Sequence, residues 1–89
     1  MIERDLEIVN RLGLHARAAA KLVQTTSRFK SRVTLIREGE EIDGKSILGI
    51  LLLAAAQGSR MIVRTEGMDE VEALHAIADL IADRFGEES

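Results

Sequence analysis

The sequence contains no cysteine, no proline, no tryptophan and no tyrosine, and its only aromatic residues are Phe29 and Phe85. Without cysteine there is no disulfide framework and no thiolate metal site, a composition that fits a reducing, cytoplasmic setting. Two phenylalanines cannot fill the core of an 89-residue chain, so that core must be aliphatic. His15 and His75 are far apart in the chain, with no cysteine to join them, and no metal site is expected. No basic segment followed by an apolar run opens the chain, so no signal peptide is read. The longest apolar run, Ile47 to Ala56, contains Gly49 and is far shorter than the roughly 20 residues of a membrane span, so no membrane insertion is expected. A net charge of −3 argues against nucleic-acid binding through bulk electrostatics. Lack of aromatic stacking residues on the predicted strands argues against a small RNA-binding α/β module. Residues 1–89 read as one domain, large enough for a single core but short of most catalytic architectures.

What is present is patterned. Ile2, Arg4, Leu6 and Ile8 alternate with Glu3, Asp5 and Glu7, the period of a half-buried strand. From Ala16, the positions Ala19, Leu22, Val23 and Thr26 recur at threes and fours, so an amphipathic helix runs to about Ser27 or Arg28. Arg32 to Arg37 reads as a strand, Glu38-Gly39 as a turn and Glu40 to Asp43 as the return strand of a hairpin. Ser46 stands where an N-cap belongs, before a helical segment Ile47 to Leu53 that Gly58 closes off. Met61, Val63 and Thr65 mark a last strand. Asp69, Glu70 and Glu72 favour the start of a final helix whose apolar face is Val71, Leu74, Ile77 or Ala78, Ile81 and Phe85. Glu87-Glu88-Ser89 is expected to fray. His75 falls off that apolar stripe and reads as a solvated, structural residue. The order β-α-β-β-α-β-α, with one short hairpin, predicts an α+β fold with a mainly antiparallel four-stranded sheet covered on one face by three helices.

Gly39 to Ser46 satisfies the pattern of a phosphate-binding P-loop, but Glu40, Glu41 and Asp43 would repel the phosphates that its N–H groups should cradle. The alternation there reads as a hairpin strand, and no nucleotide or other cofactor is expected.

The chemistry gathers at Gly13-Leu14-His15-Ala16-Arg17. A histidine at a helix start meets backbone N–H groups with no intrahelical partner, at the positive end of the helix dipole. A phosphate held there finds ready donors in Ala16 and Arg17, with the Arg17 guanidinium as a fixed cation. Both features disfavour a charged ring, and a neutral imidazole is a nucleophile near neutral pH. A lone Gly-x-His before a helix would ordinarily be no more than a polar helix entry.

Asn10-Arg11-Leu12-Gly13-Leu14-His15-Ala16-Arg17 closely resembles the active-site signature of HPr, the histidine phosphocarrier family of the bacterial phosphotransferase system. Lys45-Ser46-Ile47-Leu48-Gly49 is similar to that family's second signature, at the correct spacing, and the resemblance spans essentially the whole chain. It implies an open-faced sandwich of four strands under three helices. It also implies that His15 accepts a phosphoryl group on Nδ1 from enzyme I and passes it to enzyme IIA proteins, the carrier being no enzyme itself. Ser46 would be the target of a regulatory kinase (HPr kinase/phosphorylase). Ile47, Leu48 and Leu51 would form the exposed apolar patch that docks these partners, with Ile50 and Leu53 turned inward; a monomer is expected. The alternative within the same fold is a purely regulatory interaction module acting through Ser46 and the patch, with His15 idle. Ala18 departs from the family, which usually carries proline there; alanine keeps the helix but leaves the His15 loop less stiff. The Asn-x-Leu-Gly-Leu-His run without proline looks more like the nitrogen-related branch than the sugar-transport branch.

Overall fold

The computed structural model describes all 89 residues. The strands are β1 (Ile2–Glu7), β2 (Arg32–Arg37), β3 (Glu40–Asp43) and β4 (Arg60–Glu66), and the helices are α1 (Ala16–Thr26), α2 (Ile47–Leu52) and α3 (Glu70–Ala82). A 3-10 turn, Arg84–Gly86, follows α3. The sheet order is β1-β4-β2-β3 and every pairing is antiparallel, which sharpens the expected mainly antiparallel sheet. Alternation fixes the two faces. Val33, Leu35, Met61, Val63 and Thr65 point inward and are buried, while Glu3, Asp5 and Glu7 of β1 face solvent. On the open face Arg64 bridges Glu3 at 2.6 Å and Glu41 at 3.5 Å, so charge covers the side of the sheet that no helix covers.

The hairpin between β2 and β3 turns through Glu38 and Gly39, both at positive φ (53° and 80°), the conformation that matches strand twist across a two-residue turn. Residues 40–43 of the P-loop-like stretch are thereby committed to β3, paired with β2.

One core of 16 buried residues lies between sheet and helices, aliphatic except for Phe85. Each fully buried Leu or Ile in it stabilises the fold by about 1.5–3 kcal/mol before packing is counted. Three details differ from the sequence reading. Val71 is 52% exposed, and Ala73 takes the inward position beside Leu74; the true stripe of α3 is Ala73, Leu74, Ile77, Ala78 and Ile81. Helix α2 stops at Leu52 because Ala54 adopts a left-handed φ of 50°, which no α-helix continues. Leu51, expected in the exposed patch, is partly buried and packs one side against the core, while Leu52 points out with 76% exposure. The reason is that α2 lies against α1 as well as over β3, so a neighbouring helix covers a flank that a helix-over-sheet picture leaves open.

Candidate functional site

The site begins with a buried asparagine. Asn10 is wholly inaccessible, and its Nδ2 donates to the Gly13 carbonyl at 2.8 Å, closing the turn that leads into α1. Gly13 has φ +67° and packs so tightly that a Cβ there would sit 2.5 Å from the Ala55 carbonyl oxygen. Only glycine meets both demands. The Leu14 N–H donates to that same carbonyl at 2.9 Å, which pins the loop to the segment leaving α2.

His15 follows in extended conformation (φ −78°, ψ 177°) as the N-cap of α1, and its carbonyl accepts the Ala19 N–H at 2.8 Å, starting the helix. Its side chain does not cap the helix, and no acidic residue occupies the first turn. The first-turn N–H groups therefore have no side-chain acceptor within their own helix. Ala16 and Arg17 are exposed beside them, and the Arg17 guanidinium forms no ion pair. Such a helix start suits a phosphate.

The ring itself is held by the far end of the chain. His15 Nε2 lies 2.5 Å from Glu87 Oε2, while Glu87 Oε1 accepts from Asn10 Nδ2 at 3.0 Å. Nδ1 makes no hydrogen bond within the chain. The two side chains keep 28% and 14% of their surface, so the contact is shielded but reachable. Burial alone would push the Glu87 carboxyl up. Hydrogen bonds from Asn10 and His15, with the Lys21 charge nearby, outweigh it and hold the group below its ordinary value.

Glu87 is the site residue that sequence reasoning missed, because the last residues were expected to fray. They are tied down instead. Phe85 is fully buried in the core, with Arg84, Phe85 and Gly86 all at positive φ, a reversal that sends the chain back over the His15 loop. Lys21 Nζ donates to the Phe85 carbonyl at 2.6 Å, and the Arg11 N–H donates to the Ser89 carbonyl at 3.0 Å. The signal was Phe85-Gly86 itself, a large apolar anchor followed by a residue that turns freely.

Ser46 is the N-cap of α2, its Oγ accepting the Gly49 N–H at 3.1 Å, and it takes no part in the His15 network. Ile47 and Leu48 are 44% and 74% exposed and, with Leu52, leave an apolar surface on α2. Leu12, 66% exposed, adds to the apolar surface from the His15 loop. His75 is exposed on α3. The surface depressions lie along β2, β3 and β4, and His15 lines none of them.

The fold and this loop define a small α+β domain with an imidazole nitrogen open beside a helix start that has no side-chain cap, a place able to take an anionic group. Residues 2–83 match the family described as the PTS HPr component phosphorylation site. The phosphocarrier protein HPr of Xylella fastidiosa (strain Temecula1) is 51% identical over 89 residues, all of both chains. A crystal structure of HPr-C-His from Thermoanaerobacter tengcongensis is similar at a TM-score of 0.97 and 45% identity, each chain covered in full. The HPr dimer from the same organism gives 0.79 at 45% identity, covering 98% of this chain and 100% of that one. The chain belongs to the HPr family of the phosphotransferase system. It is a phosphocarrier and not a catalyst.

Proposed function

We propose that His15 bears the phosphoryl group, on Nδ1, and that the N–H groups of Ala16 and Arg17 and the Arg17 guanidinium bind its oxygens. The observation that carries this reading is the conjunction at α1: Nδ1 unengaged, no side-chain cap, no acidic first turn. A neutral imidazole attacks through its lone pair, and the phosphate so placed meets donors that need no rearrangement. Enzyme I supplies the group and an enzyme IIA protein receives it, in the cytoplasm. Ile47, Leu48 and Leu52 are the surface these partners cover, since exposed leucines this close together mark a contact site. Ser46 serves as a regulatory phosphorylation target for a kinase of the HPr kinase/phosphorylase type: a phosphate at the start of α2 is electrostatically tolerated there.

Phosphorus NMR after incubation with enzyme I and phosphoenolpyruvate tests the assignment. An acid-labile phosphohistidine signal is expected for the wild type and is expected to vanish in His15→Ala. A signal that persists in the variant refutes the assignment to His15. Silence in both proteins, with enzyme I active on another carrier, favours the regulatory-module reading instead.

A further inference from the structure

We infer that Glu87 is a positioning residue for His15: by accepting the Nε2 proton it fixes the tautomer that leaves the Nδ1 lone pair free, and its charge offsets the positive charge the ring gains when Nδ1 is phosphorylated. This rests on the reading of His15 as the phosphoryl acceptor and extends it to a residue from the opposite end of the chain.

The geometry carries the argument. A neutral imidazole has one N–H and one lone pair, and a carboxylate is acceptor-only, so the nitrogen beside it must hold the proton. Glu87 Oε2 sits 2.5 Å from Nε2, and Nδ1 has no partner in the chain. The carboxylate is itself oriented. Asn10 Nδ2 reaches both Glu87 Oε1 and the Gly13 carbonyl, and since both are acceptors the amide can point only one way. That orientation leaves Asn10 Oδ1 buried with no partner, the only such side-chain atom in the molecule. Asn10 thereby ties the Glu87 carboxylate to the turn that carries His15.

The chemistry balances without a proton transfer. The Nδ1 lone pair forms the N–P bond as the bond from phosphorus to a nitrogen-linked phosphoryl donor breaks, and that electron pair leaves with the donor. Nε2 keeps its proton throughout, so the ring becomes a cation paired with the Glu87 carboxylate. The reverse step, to the next acceptor, breaks N–P and returns the neutral Nε2–H ring. Around the ring stand Glu87, and Arg17 with the α1 N–H groups at the helix start, while Lys21 acts on Glu87 by its charge and Asn10 donates to it. Among these, Glu87 is the group in hydrogen-bond contact with the ring.

The test uses phosphoramidate, a small nitrogen-linked donor that needs no protein partner, together with nitrogen-15 NMR of the imidazole. The wild type is expected as the Nε2–H tautomer. Glu87→Ala is expected to mix the tautomers. Glu87→Gln keeps the volume but offers one acceptor oxygen to two donors, Asn10 Nδ2–H and Nε2–H, so it too is expected to lose the single tautomer. Both variants are expected to be phosphorylated roughly tenfold more slowly or worse, the loss typical of one charged hydrogen bond, with the rate's dependence on pH displaced relative to wild type. An Nδ1–H wild-type ring overturns the proposal. So does a Glu87→Gln protein, folded by circular dichroism, whose rate and pH profile match wild type. If instead phosphoramidate never labels His15 while the Nε2–H tautomer is observed, the acceptor reading fails and the orientation of the ring by Glu87 stands.

Discussion

The Asp69 carboxylate closes onto Ser31: Oδ1 accepts both the Ser31 N–H at 2.9 Å and its hydroxyl at 2.5 Å, while Oδ2 accepts the Lys30 N–H at 2.9 Å. Asp69 stands at the N-cap of α3 yet does not cap its own helix. It joins the start of α3 to the chain entering β2 instead. The hydrogen bond from the Ser31 hydroxyl, with those from the Lys30 and Ser31 amides, lowers its carboxyl to about 2. A carboxyl lowered on folding stabilises the fold above its unfolded value of about 3.9 and ceases to do so as pH falls through the folded value. Asp69→Asn is therefore expected to melt at lower temperature than wild type at neutral pH. The two melting curves should converge as pH is taken from 4 down to 2. A gap that stays constant over that range would show that the carboxylate charge does not matter.

Ala54 holds φ at 50° on an exposed surface, where an L-residue other than asparagine or aspartate is disfavoured by about 1–2 kcal/mol. Ala54→Gly removes that strain and adds some unfolded-state entropy. The expected outcome is a net stabilisation of about 0.5–1 kcal/mol in urea denaturation, with m unchanged.

Phe85 is the single aromatic in the core and the anchor of the C-terminal reversal. Phe85→Ala should cost about 3–5 kcal/mol, as large aromatic truncations do. It should also free Glu87, so the nitrogen-15 signals of His15 are expected to change together with stability.

The α2 surface separates two neighbours. Leu52→Ser is expected to leave stability within about 0.5 kcal/mol, because the side chain is 76% exposed. It should nonetheless weaken binding to enzyme I in calorimetric titration. Leu51→Ser places a hydroxyl against the core and is expected to lower stability instead. Equal stability losses in the two variants would contradict the packing described for α2.

Ser46→Ala removes the oxygen that accepts the Gly49 N–H and should cost about 1 kcal/mol. Ser46→Asp keeps a good cap and adds charge at the favourable end of the helix, so its melting temperature is expected to stay near wild type.

The elements and the place of His15 at a helix start were legible along the chain. Period-two alternation in Ile2 to Ile8 and the apolar spacing of Ala19, Leu22 and Thr26 are properties of neighbouring residues, and they fix which face of each strand or helix is buried. The same holds for the placing of Gly13, His15 and Arg17 at a helix start, which follows from neighbouring residues alone. Ser46 as the cap of α2 was local in the same sense, and so was the hairpin through Glu38 and Gly39. The tertiary structure alone decided what these elements touch. Leu51 is partly covered and Leu52 left exposed because α1 lies beside α2, and no periodicity within α2 encodes its neighbour. Glu87 reached His15 across 72 residues because Phe85 enters the core and the backbone reverses at Arg84 to Gly86. Contacts of that separation depend on the chain first being folded, so they are settled by packing and not by any pattern legible along the chain.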